Sequence, residues 1–410
     1  MGQADVTGLR DSRIVSLVHV AVTLTAASLA LYFTMMLLFA RSMLTRARGR
    51  ARRPLDRAPR VSIFKPLAGC DDDLEANLES FARVDYPSFE LLFGVASTDD
   101  PAYALARRFI ARHPKLDARV VVTDPDAATN PKVAQLVGLE RVATGEVYVI
   151  SDSNVRVKPA YLWSLVAELS EDRVGMVTSL FVGTGERTVG AALENLQICA
   201  HTSPGLVALD AVTERPLTVG KSMAIRRRDL ARLGGFLPVG DVLAEDYMLG
   251  RRFFEAGFLA RTSLEAVENR NVGCSVARTV ERHTRWSKMR RSLSPMTFAV
   301  EPIMTPIVIA SAGFAMAPDK VTAAVLGGTC LVQTAAAQVA VRVLRGSWLS
   351  PRYLPLELAR SYVTLFCWAR ACVSRRIEWR GHTFTMKRGT EIVPVAPPSE
   401  RSPGRARLAA

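Results

Sequence analysis

The stretch from Ile14 to Ala40 contains no Asp, Glu, Lys or Arg, and it constrains the chain more than any other feature. About 20 apolar residues are enough for a helix to cross the hydrocarbon core of a bilayer. A cleaved signal peptide has a shorter apolar core and a small-residue cleavage site. Here Arg46, Arg48, Arg50, Arg52, Arg53, Arg57 and Arg60 follow instead. The expectation is an anchor helix at 14–40, after a short N-terminal tail (1–13) left outside. The basic linker at 41–60 keeps the next domain in the cytoplasm by the positive-inside rule.

The formal net charge of +14 raises the possibility of nucleic-acid binding, and the location of the charge argues against it. Arg285, Lys288, Arg290 and Arg291 precede a second apolar region, and Arg375, Arg376 and Arg380 follow the last one. Basic clusters beside apolar segments suit anionic headgroups. Zinc-finger spacing and RNA-binding aromatic motifs are missing from the sequence. Six scattered cysteines without a CxxC pair read as reduced and structural.

In the region 301–375, apolar segments run from Ile303 to Ala317 and from Val321 to Val343, parted by Pro318-Asp319-Lys320. A third, Leu354 to Val373, is interrupted by Glu357, Arg360 and Arg370. Three full spans would leave the basic C-terminus outside, against the charge rule. The expectation is therefore two spans plus an interfacial or re-entrant helix. Residues 376–410 read as a basic C-terminal tail, disordered from about Val395.

Between the membrane segments, residues 61–300 read as a cytosolic α/β catalytic domain ending in an interfacial helix. β-Branched or aromatic runs (Val61 to Phe64, Phe89 to Val95, Arg119 to Thr123, Glu146 to Ile150, Val174 to Thr178) alternate with helical stretches such as Asp73 to Arg83 and Pro101 to Arg112. Such alternation predicts a largely parallel, helix-covered sheet. Ligands in such sheets bind beyond the carboxyl ends of the strands.

Four constellations could carry chemistry. Ser97-Thr98-Asp99-Asp100-Pro101 closes a strand; an aspartate there can accept hydrogen bonds from a nucleotide, although Asp-Asp-Pro is also an ordinary helix start. Ser151-Asp152-Ser153-Asn154 follows an apolar strand, where a carboxylate can hold a divalent cation against a diphosphate. Ala244-Glu245-Asp246-Tyr247 opens a helix; its acids suit the helix dipole or could take a proton from an attacking hydroxyl. Arg282-His283-Thr284-Arg285-Trp286 offers a guanidinium clamp and an interfacial tryptophan, or only a basic membrane flank.

Taken together and in this order, these motifs resemble the D, D, D, (Q/R)xxRW signature of membrane family 2-type glycosyltransferases. In detail the chain is similar to glycosyltransferase family 21, the ceramide glucosyltransferases. The supporting stretches are Ile63-Phe64-Lys65-Pro66-Leu67-Ala68-Gly69, Leu78 to Phe81, Asp85-Tyr86-Pro87, Asp99-Asp100-Pro101-Ala102, Asn130-Pro131-Lys132, Asp152-Ser153, Ala244-Glu245-Asp246-Tyr247, Arg285-Trp286 and Glu301-Pro302, and more weakly Glu378-Trp379-Arg380-Gly381.

The resemblance implies a GT-A nucleotide-sugar-binding fold, with one N-terminal transmembrane helix and C-terminal membrane helices. It implies an inverting transfer of glucose from UDP-glucose to the primary hydroxyl of ceramide. By position, Asp246 is the implied catalytic base. Asp100, Lys132, Asp152, Arg282, Arg285 and Trp286 are implied on the donor side, with Asp152 placing Mg2+ or Mn2+. His201, Glu245 and Trp286 are implied on the acceptor side. The implied partners are a UDP-sugar, a membrane lipid and the bilayer, without nucleic acid. Asn154 departs from a full Asp-x-Asp motif, and Ala200-His201-Thr202 is shifted relative to the family's histidine. Hopanoid glycosyltransferases using UDP-N-acetylglucosamine share the scaffold and form the nearest alternative. A processive polysaccharide synthase and a non-catalytic membrane scaffold are the remaining rivals.

Overall fold

A computed structural model describes residues 3–48, 57–70, 73–213, 218–379 and 382–395. Its centre is a sheet of eight strands: β1 (Val61–Pro66), β2 (Phe89–Val95), β3 (Ala118–Val122), β4 (Val147–Ser151), β5 (Val155–Arg156), β6 (Val174–Thr184), β7 (Ser222–Arg226) and β8 (Leu259–Arg270). The spatial order is β3-β2-β1-β4-β7-β6-β8-β5. All six residues of β1 and all five of β4 are buried. Full burial explains why β4 reads as an apolar run rather than as alternation; β1 buries Ser62 and Lys65 as well as its apolar residues. Successive residues still face opposite ways. Ile63 joins Phe81, Phe93 and Phe109 in one core, and Phe64 joins Leu92, Tyr148 and Phe236 in the other.

The strands β3, β2, β1 and β4 pair in parallel, as the alternation predicts. Beyond β4 the sheet is mixed, because β7 runs antiparallel to both β4 and β6. The long link from β6 to β7 does not make a right-handed crossover. It runs through α6 (Val189–Gln197), a π turn at Ile198–Thr202 and α7 (Ser203–Asp210).

Along the N-terminal half lie α2 (Leu74–Ala82), α3 (Pro101–Arg112), α4 (Pro131–Val142) and α5 (Tyr161–Leu169). Asp100 caps α3 and Asn130 caps α4, each with proline at the first helical position, where the absent N–H costs no intrahelical bond. The short α8 (Arg227–Arg232) follows β7. Next come α9 (Glu245–Glu255) and α10 (Val276–Leu293), the latter capped by Ser275.

Among the described residues, two helices are long and apolar enough to cross a membrane. One is α1 (Gln3–Arg48), which continues N-terminally through the expected tail and exposes Leu17, Leu24, Leu31 and Leu37. After the six-residue α11 (Pro295–Val300) and α12 (Pro306–Met316) comes the second, α13 (Lys320–Arg345). At 1.5 Å per residue α12 is about 17 Å long, short of the bilayer core. It bends by 69° against the preceding segment Pro295–Met304.

The last helix, α14 (Leu356–Val373), carries Glu357 and Arg360, and both are buried. The charges that interrupt its sequence are satisfied by one another. Arg360 donates to Glu357 at 2.5 and 2.8 Å and to Gln197 of α6 at 2.5 Å, while Gln333 of α13 donates to Glu357 at 2.6 Å. Arg345, at the end of α13, pairs with Glu186 of the catalytic domain at 2.9 Å.

Where the sequence reads as a basic tail, the chain forms a second sheet of β9 (Arg376–Trp379), β10 (His382–Met386) and β11 (Ile392–Pro394). Alternation of Ile377 with Trp379, and of Phe384 with Met386, supplies its buried face. The arginines Arg50, Arg52, Arg53 and Arg380 and the expected disordered end at 396–410 lie outside the described residues. All six cysteines are unpaired with one another.

Candidate active site

The carboxyl ends of β1 and β4, the start of β7 and the N-termini of α4 and α9 converge on one cavity of about 590 Å³. Asp152 follows the last residue of β4. Its partner strand β7 runs antiparallel with Ser151 opposite Ser222, so Lys221 arrives beside it. Lys221 Nζ stands 3.2 Å from Asp152 Oδ2 and 3.2 Å from Asn154 Oδ1. Behind them Lys65, buried at the end of β1, donates to the Asp152 carbonyl at 2.5 Å.

Lys132 enters from the first turn of α4. Its ammonium lies 2.9 Å from Asp152 Oδ1 and 2.8 Å from Glu245 Oε1, so one cation bridges two carboxylates. Burial alone would lower its pKa, but Asp152, then Glu245 and Asp246, outweigh burial and raise it. Burial also works against the charge of Asp152, and Lys132 and Lys221 overcome it, holding that carboxyl down at about 2.

Asp246 has the opposite environment. Burial first and the neighbouring Glu245 second push its pKa up to about 6, against Lys132 and two backbone donors. Those donors are Gly220 N–H at 2.5 Å and Tyr247 N–H at 2.8 Å. Two carboxylates in one cavity therefore hold distinct states near neutrality: Asp152 stays ionised and Asp246 is poised to exchange a proton. Such separation assigns acid–base and electrostatic roles to different groups.

From α10, Arg278, Glu281, Arg282, Arg285, Trp286 and Met289 line the cavity, each three or four residues from another of the set and hence on one face of the helix. Arg282 is fixed by the buried Glu194 and by Asn271 Oδ1 at 3.1 Å. Trp286 packs edge-on against His283, with ring centres 5.0 Å apart.

The structure thus brings Lys132, Asp152, Glu245, Asp246, Arg282, Arg285 and Trp286 together. Asp100 does not line the cavity. It accepts from Ala102 N–H at 2.8 Å as a helix cap and from Gly69 N–H at 2.9 Å, and so fixes the loop whose Ala68 is part of the lining. His201 also lies away from the cavity, in the π turn, where burial, then Arg360 and Arg290, drive its pKa down to about 3 and keep it neutral. Lys221, Gly220, His382 and Thr383 also line the site and no sequence motif marks them, whereas Lys65 behind it and Glu378 and Trp379 in its lining stand in stretches that carry the family resemblance without an assigned role. The signal for Lys221 is the strand pairing, which no local pattern reveals.

Among the described residues, no group of three His, Cys, Asp or Glu side chains could enclose a metal ion. Both oxygens of Asp152 face lysines, and Asn154 supplies an amide where a second carboxylate would serve a cation better. This donor set fits a cation held through Asp152 and shared with a diphosphate, as magnesium often is. It does not fit one caged by protein alone.

A model of the family described as "Glycosyl transferase family 21" matches residues 20–392. The chain is similar to two Caenorhabditis elegans proteins. Ceramide glucosyltransferase 3 is 25% identical over 82% of this chain and 74% of its own length. Ceramide glucosyltransferase 1 is 26% identical over 82% and 73%. A solved structure, the mannosyltransferase PcManGT from Pyrobaculum calidifontis in complex with GDP-Man and Mn2+, superposes with a TM-score of 0.52. It is 19% identical and covers 87% of this chain and 99% of that one. At that identity the likeness establishes the shared glycosyltransferase fold.

Proposed function

The chain belongs to glycosyl transferase family 21, and from that premise we propose that it transfers glucose from UDP-glucose to the primary hydroxyl of ceramide in a single inverting displacement. The observation that carries this reading is a pair of carboxylates in unlike settings, Asp152 between Lys132 and Lys221 and Asp246 on the Gly220 and Tyr247 N–H groups, in one cavity with the arginines and tryptophan of α10. The names of the C. elegans relatives supply the acceptor and the sugar.

In this mechanism Asp246 accepts the hydroxyl proton as the acceptor oxygen attacks the anomeric carbon. The bond from that carbon to the diphosphate oxygen breaks, and UDP leaves with the electron pair. A primary alcohol hardly ionises near neutral pH, so the base is required; such a base is worth roughly 10²–10⁴ in rate. Lys132, Lys221 and the guanidiniums of Arg282 and Arg285 meet the charge that grows on the diphosphate. Asp152 would hold Mg2+ or Mn2+, which supplies further positive charge at the leaving group. Asp100 acts on the nucleotide through the Gly69 loop.

The catalytic domain faces the cytoplasm in this reading. Arg57 and Arg60 follow α1, and Lys288, Arg290, Arg291, Arg375 and Arg376 flank the C-terminal helices. The β9–β11 sheet bonds to the loop before α9, so the chain between α10 and β9 crosses the bilayer an even number of times. The bent segment Pro295–Met304 with α12, as one broken span, and the long α13 make that pair, and α14, joined to α6 by the hydrogen bond from Arg360 to Gln197, lies at the interface.

The test is a membrane assay with radiolabelled UDP-glucose, UDP-galactose and UDP-N-acetylglucosamine against ceramide, diacylglycerol and a hopanoid alcohol, read by thin-layer chromatography. Label from UDP-glucose in ceramide is expected. Label only in the hopanoid would move the acceptor to the sibling class, and no labelled lipid would overturn the assignment.

A further inference from the structure

Two unlike sets of residues line the cavity. Lys132 and Lys221, with Arg282 and Arg285 of α10, are cationic and attract an anionic diphosphate. The second wall is Trp286 on α10 with Trp379, His382 and Thr383 on β9 and β10, and Asp246 lines the same cavity. Nothing in the reaction assigned above uses β9 or β10.

The second wall is fixed to the catalytic loop. Leu243 N–H donates to the Thr390 carbonyl at 2.9 Å, and Ile392 N–H donates to the Asp241 carbonyl at 2.8 Å. Ser292 of α10 donates to the Lys387 carbonyl at 2.9 Å and accepts from Thr390 N–H at 3.2 Å. Thr390 is fully buried and takes a left-handed backbone conformation, φ 62°. A non-glycine residue persists there only where its surroundings hold it. Leu243 itself belongs to the small core of Ile377, Phe384, Met386 and Ile392. The backbone that leads into Glu245 and Asp246 is thus a partner of the C-terminal sheet.

The same sheet begins at Arg376, just after α14 ends at Val373. It is therefore the last stop between membrane-side helices and the catalytic carboxylate. With the lysines and arginines engaged by the donor diphosphate, the lining that remains for an acceptor hydroxyl bound for Asp246 is the tryptophan wall.

We infer that strands β9 and β10 form the acceptor wall of this enzyme, with Trp379 and His382 recognising the polar, hydroxyl-bearing head of a lipid. The inference rests on the lipid-acceptor reading of the site. Tryptophan offers an apolar face with one N–H donor, which suits a group with one end wet and the other apolar. His382 and Thr383 add hydrogen-bonding groups to the same lining. These strands set which headgroups reach Asp246, and the lysines and arginines set which donors bind.

The test uses full-length protein in lipid nanodiscs containing a titrated ceramide, with wild type, Trp379→Ala, Trp379→Phe, His382→Ala and Thr383→Val compared. Trp379→Ala and His382→Ala are expected to raise the acceptor KM by about tenfold, which corresponds to ~1.4 kcal/mol. Donor KM and calorimetric UDP affinity stay at the wild-type level, and Trp379→Phe recovers most of the loss. UDP affinity also reports folding; should Trp379→Ala fail to bind UDP, His382→Ala and Thr383→Val decide. Acceptor KM unchanged in every folded variant, or a rise confined to donor KM, would overturn the wall. A wild type that labels no lipid would instead sink the functional reading beneath it.

Discussion

Lys132 reaches Asp152 at 2.9 Å and Glu245 at 2.8 Å, while Asp246 is left with two backbone donors and a like-charged neighbour. Burial acts on both aspartates, and the ammoniums of Lys132 and Lys221 overcome it at Asp152 while Glu245 adds to it at Asp246. Gly220 makes the arrangement possible, because its N–H can approach Asp246 only without a side chain. A Cβ there would meet Asp246 Oδ2 at 2.9 Å and Lys132 Nζ at 3.1 Å. Both are ends of side chains, so Gly220→Ala should fold and shift the carboxylate instead. Turnover is expected to fall on the order of 10²-fold, the usual cost of misplacing a reacting group by about 1 Å. Steady-state kinetics alongside thermal unfolding checks this; a wild-type kcat would contradict it.

Among the elements, α14 shows how a polar interruption in an apolar helix can be structural. Glu357 and Arg360 are 0% and 3% exposed, and Gln333 and Gln197 complete their hydrogen bonds. Breaking such a buried pair by removing one partner typically costs about 3–5 kcal/mol, whereas replacing both with apolar groups is often neutral. Arg360→Met should therefore lower unfolding stability in detergent by about 3–5 kcal/mol, and Glu357→Leu added to it should restore much of the loss. Equal stability of Arg360→Met and wild type would contradict the role given to the pair. The sequence shows the charges, but their partners on α6 and α13 lie far away along the chain. β2 and α3 are legible to the residue because apolar runs and a proline start mark their limits. The short α12 is not, since apolar composition alone does not reveal the bend at Thr305. The sheet β9–β11 carries its signal in the alternation at Ile377, Trp379, Phe384 and Met386, overshadowed by the surrounding arginines.

For the molecule as a whole, the central sheet positions a polar cavity between two membrane-seeking regions, and the chain returns from the second region to complete that cavity. Much of the site is legible because Asp152 and Asp246 stand where an α/β sheet puts its ligands, just past a strand and at the start of a helix. Lys221 and Gly220 are not legible, since they depend on the antiparallel pairing of β4 with β7. Asp100 shows the converse: its position matches a motif, but its side chain caps a helix and holds the Gly69 loop, while His201, already out of step with the family's histidine, lies in the π turn away from the cavity. The account turns on Asp246 as the base. Its pKa is raised, so the carboxyl is protonated and inactive below about 6 and ionised above it. The most direct test is the pH dependence of lipid transfer by wild type and Asp246→Asn, with UDP affinity measured in parallel. The account predicts a wild-type kcat/KM that rises with pH through about 6. It also predicts an Asn variant that binds UDP normally and turns over roughly 10²–10⁴ more slowly, without that limb. An Asn variant with wild-type turnover, or one that has lost UDP binding while folded, would contradict it.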